Sequence, residues 1–310
     1  MALPDWFHEL AGKVRNWGRW GADDEIGTIN LIDNAARLRG VASVKTGRPF
    51  SLAMLLHEDG VQTGVIPGRI NPIHAMVAIN SPMSGDPSEF CTSDDTIHMG
   101  VQAATHWDGL GHVSYDAKMY NGYPAASITE AGASKCGIEK ITSMVSRGVL
   151  LDIARLKGVD CLEGNYAITG DDLDAACEMA RVTMAPGDIV LVRTGKGQFL
   201  AQSPPDKFGY MFPNPGPSLK SVEWFRRHDV AAVANDTLTF EVYPCEDEAA
   251  QLPVHLLHLV DMGMTQGQNF VLDALAADCA EDGQYTFLLE ASPQPILGGT
   301  GSMVNPVAIK

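Results

Sequence analysis

The sequence is short of positive charge. Its 310 residues carry 22 lysines and arginines against 38 aspartates and glutamates, a formal net charge of −16. Nucleic acid and anionic membrane both call for a basic surface, so neither is expected as a partner, and the acidity is read as a contribution to solubility. No apolar run approaches the ~18 residues that a membrane span needs. The opening segment Met1–His8 lacks a basic stretch followed by an apolar core, so no secretion signal is expected and a cytoplasmic location is. No CxxC pair, HExxH helix or EF-hand loop is present. The six cysteines, Cys91, Cys136, Cys161, Cys177, Cys245 and Cys279, are scattered, and free thiols are expected. Long linkers, low-complexity tracts and internal repeats are also missing.

What remains is the composition of a globular enzyme. With 45% hydrophobic and 19% charged residues the chain can bury a large core. The length allows one large domain or two small ones. Short apolar runs bounded by glycine predict buried strands at residues 148–153 and 189–193, with further strands at 50–56, 73–79, 230–234 and 286–290. Helices are predicted at 169–184, where Thr169 can cap and Asp171 and Asp172 occupy the first turn, and at 218–227 and 272–279. The order of elements is mixed α/β. Residues 60–72 and 204–217 are Gly/Pro-rich loops of the kind that border sites.

Residues 101–112, VQAATHWDGLGH, concentrate the chemistry. His106 and Asp108 are two apart, so on a strand both point to one face, while Trp107 points to the other and joins the core. An imidazole and a carboxylate on one face can share a divalent ion such as zinc or manganese. His112 follows Gly109-Leu110-Gly111, where the chain can turn back, and its pKa near neutrality suits a general acid/base. Gln102 precedes His106 by four positions, in the same even register.

This stretch resembles the signature of the metal-dependent cyclase family, His-x-Gly-Thr-His-x-Asp-x-Pro-x-His. That family includes kynurenine formamidases, isatin hydrolases and a trans-dienelactone hydrolase. Thr105, His106, Asp108 and His112 match, while Gln102, Ala104 and Leu110 depart from the pattern. The resemblance extends to Trp20–Gly27, to Asp116–Gly122, to Gly187–Gly195 and to the tail Gly298–Pro306, covering roughly residues 18–310.

The resemblance implies a swivelling β/β/α fold with a central β-barrel-like core and flanking helices, as a single domain over residues 1–310 with an N-terminal arm at about 1–30. It implies a homodimer or homotetramer, a small-molecule substrate and a divalent metal held by His106 and Asp108. Gln102 stands where the family has a ligating histidine; it either coordinates through its neutral amide oxygen or only hydrogen-bonds in the site. Some members hold a second metal with a later His and a Glu. Here those positions are His255 and Gln268, so the missing carboxylate predicts one metal, with His255 and Gln268 lining the pocket. His112 corresponds to the family's acid/base. Trp20 and Asp24 either wall the substrate pocket, of this or a neighbouring subunit, or simply pack the arm. His74 either approaches the pocket or is structural. His258 has no family counterpart and reads as structural, and Asp236 carries a weak signal at a strand end.

The expected function is a hydrolase opening a small cyclic ester or amide, such as a dienelactone, by metal-activated water. A kynurenine formamidase-type hydrolase is the alternative, disfavoured by glutamine at both departed ligand positions. A catalytically degraded ligand-binding relative, or a lyase using the same groups, also stands open.

Overall fold

The computed structural model describes residues 3–310. Eleven strands build the main sheet and the hairpin beside it: β1 (Pro49–Ser51), β2 (Ile73–Pro82), β3 (Cys91–His98), β4 (His106–Asp108), β5 (Val145–Asp152), β6 (Ile189–Arg193), β7 (Ala232–Asn235), β8 (Thr265–Gln268), β9 (Thr286–Glu290), β10 (Gly301–Met303) and β11 (Val307–Ile309). Nine of them form one mixed sheet in the order β1-β11-β9-β5-β6-β7-β8-β4-β10. Its centre, β5 to β8, is parallel, and antiparallel strands extend both sides. The terminal strands β1 and β10 do not pair, so the sheet is an open, curled half-barrel, short of a closed barrel.

The parallel strands are covered on both faces, which is why they read as continuous apolar runs. Leu150, Ile189, Leu191, Ala232, Ala234 and Trp107 pack into one core layer. The alternating partners Val149, Leu151, Val190, Val192 and Val233 pack into the other, under the helices Asp5–Val14, Gly170–Ala180 and Val222–Arg227. The helix Asp273–Asp282 covers the first face with Leu275, Ala276 and Cys279.

The strand at 189–193 and the strand at 286–290 fall where the sequence puts them. Thr169 caps its helix through a capping box with Asp172, but the helix stops at Ala180 because Arg181 takes a left-handed conformation. The predicted strand at 50–56 shrinks to Pro49–Ser51. The strand at 73–79 is real, but it pairs only with β3 in a separate exposed hairpin. All six cysteines are free. Among the described residues no helix is long and apolar enough to cross a membrane.

The N-terminal motif docks through a close backbone approach. Gly27 has φ +57°, and a Cβ there would lie 2.0 Å from the Gly263 carbonyl oxygen. That carbonyl accepts from the Thr28 backbone N–H at 2.8 Å, and Thr28 Oγ1 donates to the Ala231 carbonyl at 2.7 Å. Gly27→Ala therefore combines an unfavourable φ with a clash against backbone. It is expected to destabilise the protein by ~2–4 kcal/mol, measured as a lower denaturant midpoint; an unchanged midpoint would mean the arm contributes little to the fold.

Candidate active site

The sequence forces a short strand at 106–108 and then a tight turn. Trp107 is fully buried and its indole N–H donates to the Ala291 carbonyl at 2.8 Å. With Trp107 fixed in one core layer, His106 and Asp108 face the other. Gly109 N–H donates to the Thr300 carbonyl, Gly111 N–H to the Cys136 carbonyl, and His112 N–H back to the Gly109 carbonyl. A Cβ on either glycine would come within 3.2 Å of the carbonyl its N–H reaches. The two glycines thus let the chain turn so that His112 returns over Asp108.

The resulting geometry is compact. His106 Nε2 and His112 Nε2 each lie 3.6 Å from Asp108 Oδ1. The other oxygen, Asp108 Oδ2, accepts from the Gln268 amide at 2.7 Å. His106 Nδ1 lies 2.7 Å from the Ala104 carbonyl, which can only accept, so Nδ1 carries the proton and Nε2 is a bare lone pair. That lone pair and Asp108 Oδ1 are both buried and have no hydrogen-bond partner. Two acceptors therefore face each other across 3.6 Å. Two ligand atoms each ~2.1 Å from one ion, at a near-tetrahedral angle, stand ~3.4 Å apart, so the pair fits a divalent metal. No group of three His, Cys, Asp or Glu side chains able to hold an ion is found among the described residues. The strong donors are thus two, and Gln102, His112 or water would complete the shell.

The electrostatics agree with neutral imidazoles around one carboxylate. Burial pushes His106 down to about 4. It also lowers His112, with Asp108 opposing. For Asp108 burial works upward, yet His112, His106, His255 and the Gln268 amide together hold it below the usual carboxylate range. The His112 side chain is 23% exposed, against 0% for His106 and 1% for Asp108, so His112 is the member that meets solvent.

Two helpers come from the segment after β7. Glu241, 1% exposed, accepts from the Val254 and His255 backbone N–H groups and lies 2.5 Å from His255 Nδ1. This fixes the His255 ring and leaves its Nε2 free. Sequence reasoning found His255 and missed Glu241; the one signal was a lone acid in the apolar run Leu238–Val242. Arg69 was also missed, and nothing but its place in the 60–72 loop pointed to it. Its charge is felt by Asp108, His106 and His112.

Gln102 does not extend the strand. It sits in a turn before β4, so the even-register argument fails for it. Its amide nevertheless lies over Gly301, where an added Cβ would be 2.6 Å from Gln102 Nε2, and Gly301 pairs with Asp108 in the sheet. Asp24 packs the arm: it accepts from the Gly27 N–H, the Asn30 amide and the Tyr120 hydroxyl. Trp20 is half-buried with the Arg19 guanidinium 4.8 Å from its ring centre. His74 stands on the exposed hairpin, 2.7 Å from Asp95, outside the buried cluster. Asp236 ties down the turn after β6 by accepting from Thr194 and Gly195. A cavity of ≈ 380 Å³ opens just beyond the ends of β6, β7 and β8, but none of His106, Asp108 and His112 lines it. Of its polar walls, Asp236 is engaged as above, Tyr210 bonds Asn269 and Asp59 pairs with Lys207.

His258 is structural. It is fully buried between Phe225 and Phe240, with ring centres 5.2 and 5.6 Å away, and the polar side chain of Gln266 acts on it. Burial pushes it down to about 3. The unfolded chain takes up this proton below pH ~6.5 and the folded chain refuses it, so stability falls as pH drops from there toward 3. Asp236, raised to about 6 by burial, acts with the opposite sign between its ordinary value and that point. The difference between wild type and His258→Leu isolates the histidine. The variant is expected to lose on the order of a few kcal/mol less than wild type between pH 7 and pH 4, read by urea denaturation; parallel losses would show that His258 is not held neutral.

The Cyclase family model, described as "Putative cyclase", matches residues 41–242. A crystal structure of a novel cyclase is similar at a TM-score of 0.86 and 37% identity, over 96% of this chain and 100% of that one. Isatin hydrolase A from Labrenzia aggregata, bound to benzyl benzoate, gives 0.62 at 17% identity, over 87% and 96%. A potential metal-dependent hydrolase with cyclase activity gives 0.52 at 15%, over 84% and 96%. At such identities these last two show the fold alone. No curated protein sequence matches the chain.

Proposed function

The chain belongs to the cyclase family, and from that premise we propose that it is a metal-dependent hydrolase opening a small cyclic ester or amide. The observation that carries the reading is the pair of buried, unpartnered acceptors, His106 Nε2 and Asp108 Oδ1, facing each other. A divalent ion, zinc or manganese, would be held there, and when bound it supplies Lewis-acid polarisation of the carbonyl and a more acidic water. One ion per chain is expected, because the Gln268 amide already occupies the second carboxylate oxygen. His112 takes the proton of the attacking water and returns it to the leaving oxygen or nitrogen. Its lowered pKa keeps it neutral, and so able to accept, at pH 7. His255, oriented by Glu241, stands near enough to act on Asp108 and would offer its Nε2 to the substrate.

A lactone such as a dienelactone is the leading substrate. Kynurenine formamidase-type chemistry is second, since Gln102 and Gln268 replace a charged or strongly ligating set. The two-donor centre also favours one further reading, a relative that binds its ligand without turnover. The swivelling β/β/α arrangement, one domain over 1–310, a homodimer or homotetramer and a cytoplasmic location complete the proposal. The test is turnover of trans-dienelactone, isatin and N-formylkynurenine in ¹⁸O-labelled water. Ring opening with one labelled oxygen in the product is the expected result. Conversion without label would indicate a lyase, and no conversion of any by metal-loaded protein would leave the ligand-binding reading.

A further inference from the structure

The chemistry at His106, Asp108 and His112 makes no use of Arg69. This residue lies half-buried in the Gly-rich loop before β2. That loop is anchored to the segment leading into β4: Gly100 N–H donates to the Ile70 carbonyl at 3.1 Å, and Gly100 in turn accepts from Ala103. A Cβ on Gly100 would meet Arg69 Cγ at 3.3 Å. The arginine stem is thus pressed against the turn that delivers His106, and its charge reaches Asp108, His106 and His112.

Arg37 and Arg39, also partly buried, reach only neutral oxygens of Asn34 and Pro186, while others are ion-paired. Arg147 holds Asp188, Arg193 holds Asp152 and Asp273, and Arg19 holds Asp229. Among the described residues Arg69 forms no ion pair and no side-chain hydrogen bond; only burial and the field of Asp108 act on it. A half-buried guanidinium without a protein partner is free to take one, and its planar fork of donors matches a carboxylate. With a net charge of −16 the surface gives an anion no long-range attraction, so a local cation beside the cluster is what would admit one.

We propose that Arg69 is a specificity-determining residue that binds the carboxylate of an anionic substrate, so that the bond to be broken lies over His106, Asp108 and His112. This deepens the hydrolase reading and rests on it. A neutral ester or amide leaves the guanidinium unpaired and is the poorer ligand.

The probes are benzoate and benzamide, equal in size and different in charge. Each is titrated calorimetrically into the metal-loaded full chain, wild type and Arg69→Gln, with metal content measured on the same samples. Wild type is expected to bind benzoate at least ~10-fold more tightly than benzamide, and Arg69→Gln to lose that preference with its metal content unchanged. Arg69→Lys, which keeps the charge without the fork, restores part of it. Absence of preference in wild type, or its survival in Arg69→Gln, overturns the proposal. So does loss of preference together with loss of metal, which would mean Arg69 acts through the metal centre. If no sample holds metal, the hydrolase reading fails, and the benzoate-to-benzamide ratio still decides Arg69.

Discussion

Asp108→Asn is expected to lose the metal while keeping the fold. The side chain is isosteric, and its surroundings suit the amide. The retained oxygen accepts from the Gln268 amide where Oδ2 now does, at 2.7 Å. The new NH₂ replaces Oδ1, 3.6 Å from the His106 Nε2 lone pair. A donor then faces an acceptor, which removes one unpartnered buried acceptor and offers the other, His106 Nε2, a donor. The metal-free variant should thus be at least as stable as the metal-free wild type. Metal content should fall from about one per chain to less than a tenth of that, because a charged donor has been exchanged for a neutral N–H. Activity should fall at least ~10³-fold, since several kcal/mol of charge stabilisation go with the ion. Elemental analysis and thermal melting check both halves. A variant that retains stoichiometric metal removes Asp108 from the ligand set.

His112→Ala has the second large effect, with the opposite metal signature. Removing the acid/base is expected to cost ~10²–10⁴-fold in kcat with metal content unchanged. The pH profile gives a sharper reading. Burial lowers the His112 pKa, so the acid limb of kcat/KM in the native enzyme should lie below the ordinary imidazole value, and it should vanish in the variant. His112 lies as close to Asp108 Oδ1 as His106 does, 3.6 Å in both cases, so coordination is the competing role. Loss of metal on His112→Ala would assign it as a ligand. Retained metal with lost activity and a lost acid limb assigns it as the base.

Much of this centre was legible in residues 101–112, because the information is local. A two-residue period sets His106 and Asp108 on one side and Trp107 on the other, and Gly109 and Gly111 mark a turn. The buried parallel strands were also legible, since burial on both faces writes an unbroken apolar run such as Ile189–Val192. What escaped depends on contacts distant in sequence. Gln102 leaves the strand because the chain turns at Gly100–Ala103, and a spacing rule carries no sign of that. Glu241 acquires meaning only when β7 brings it to the start of the Pro253–His255 helix. The hairpin strand β3, CTSDDTIH, is too polar and too exposed to show an alternating pattern. β8 was hidden for a different reason. Its residues Thr265–Gln268 are all buried yet mostly polar, and Gln268 reaches the site to bond Asp108.

The most direct test is the metal content of untagged protein, purified without chelator and analysed alongside Asp108→Asn. About one zinc or manganese per wild-type chain, and essentially none in the variant, is the predicted result. Wild-type protein that holds no metal, and gains none when zinc or manganese is supplied, would contradict it.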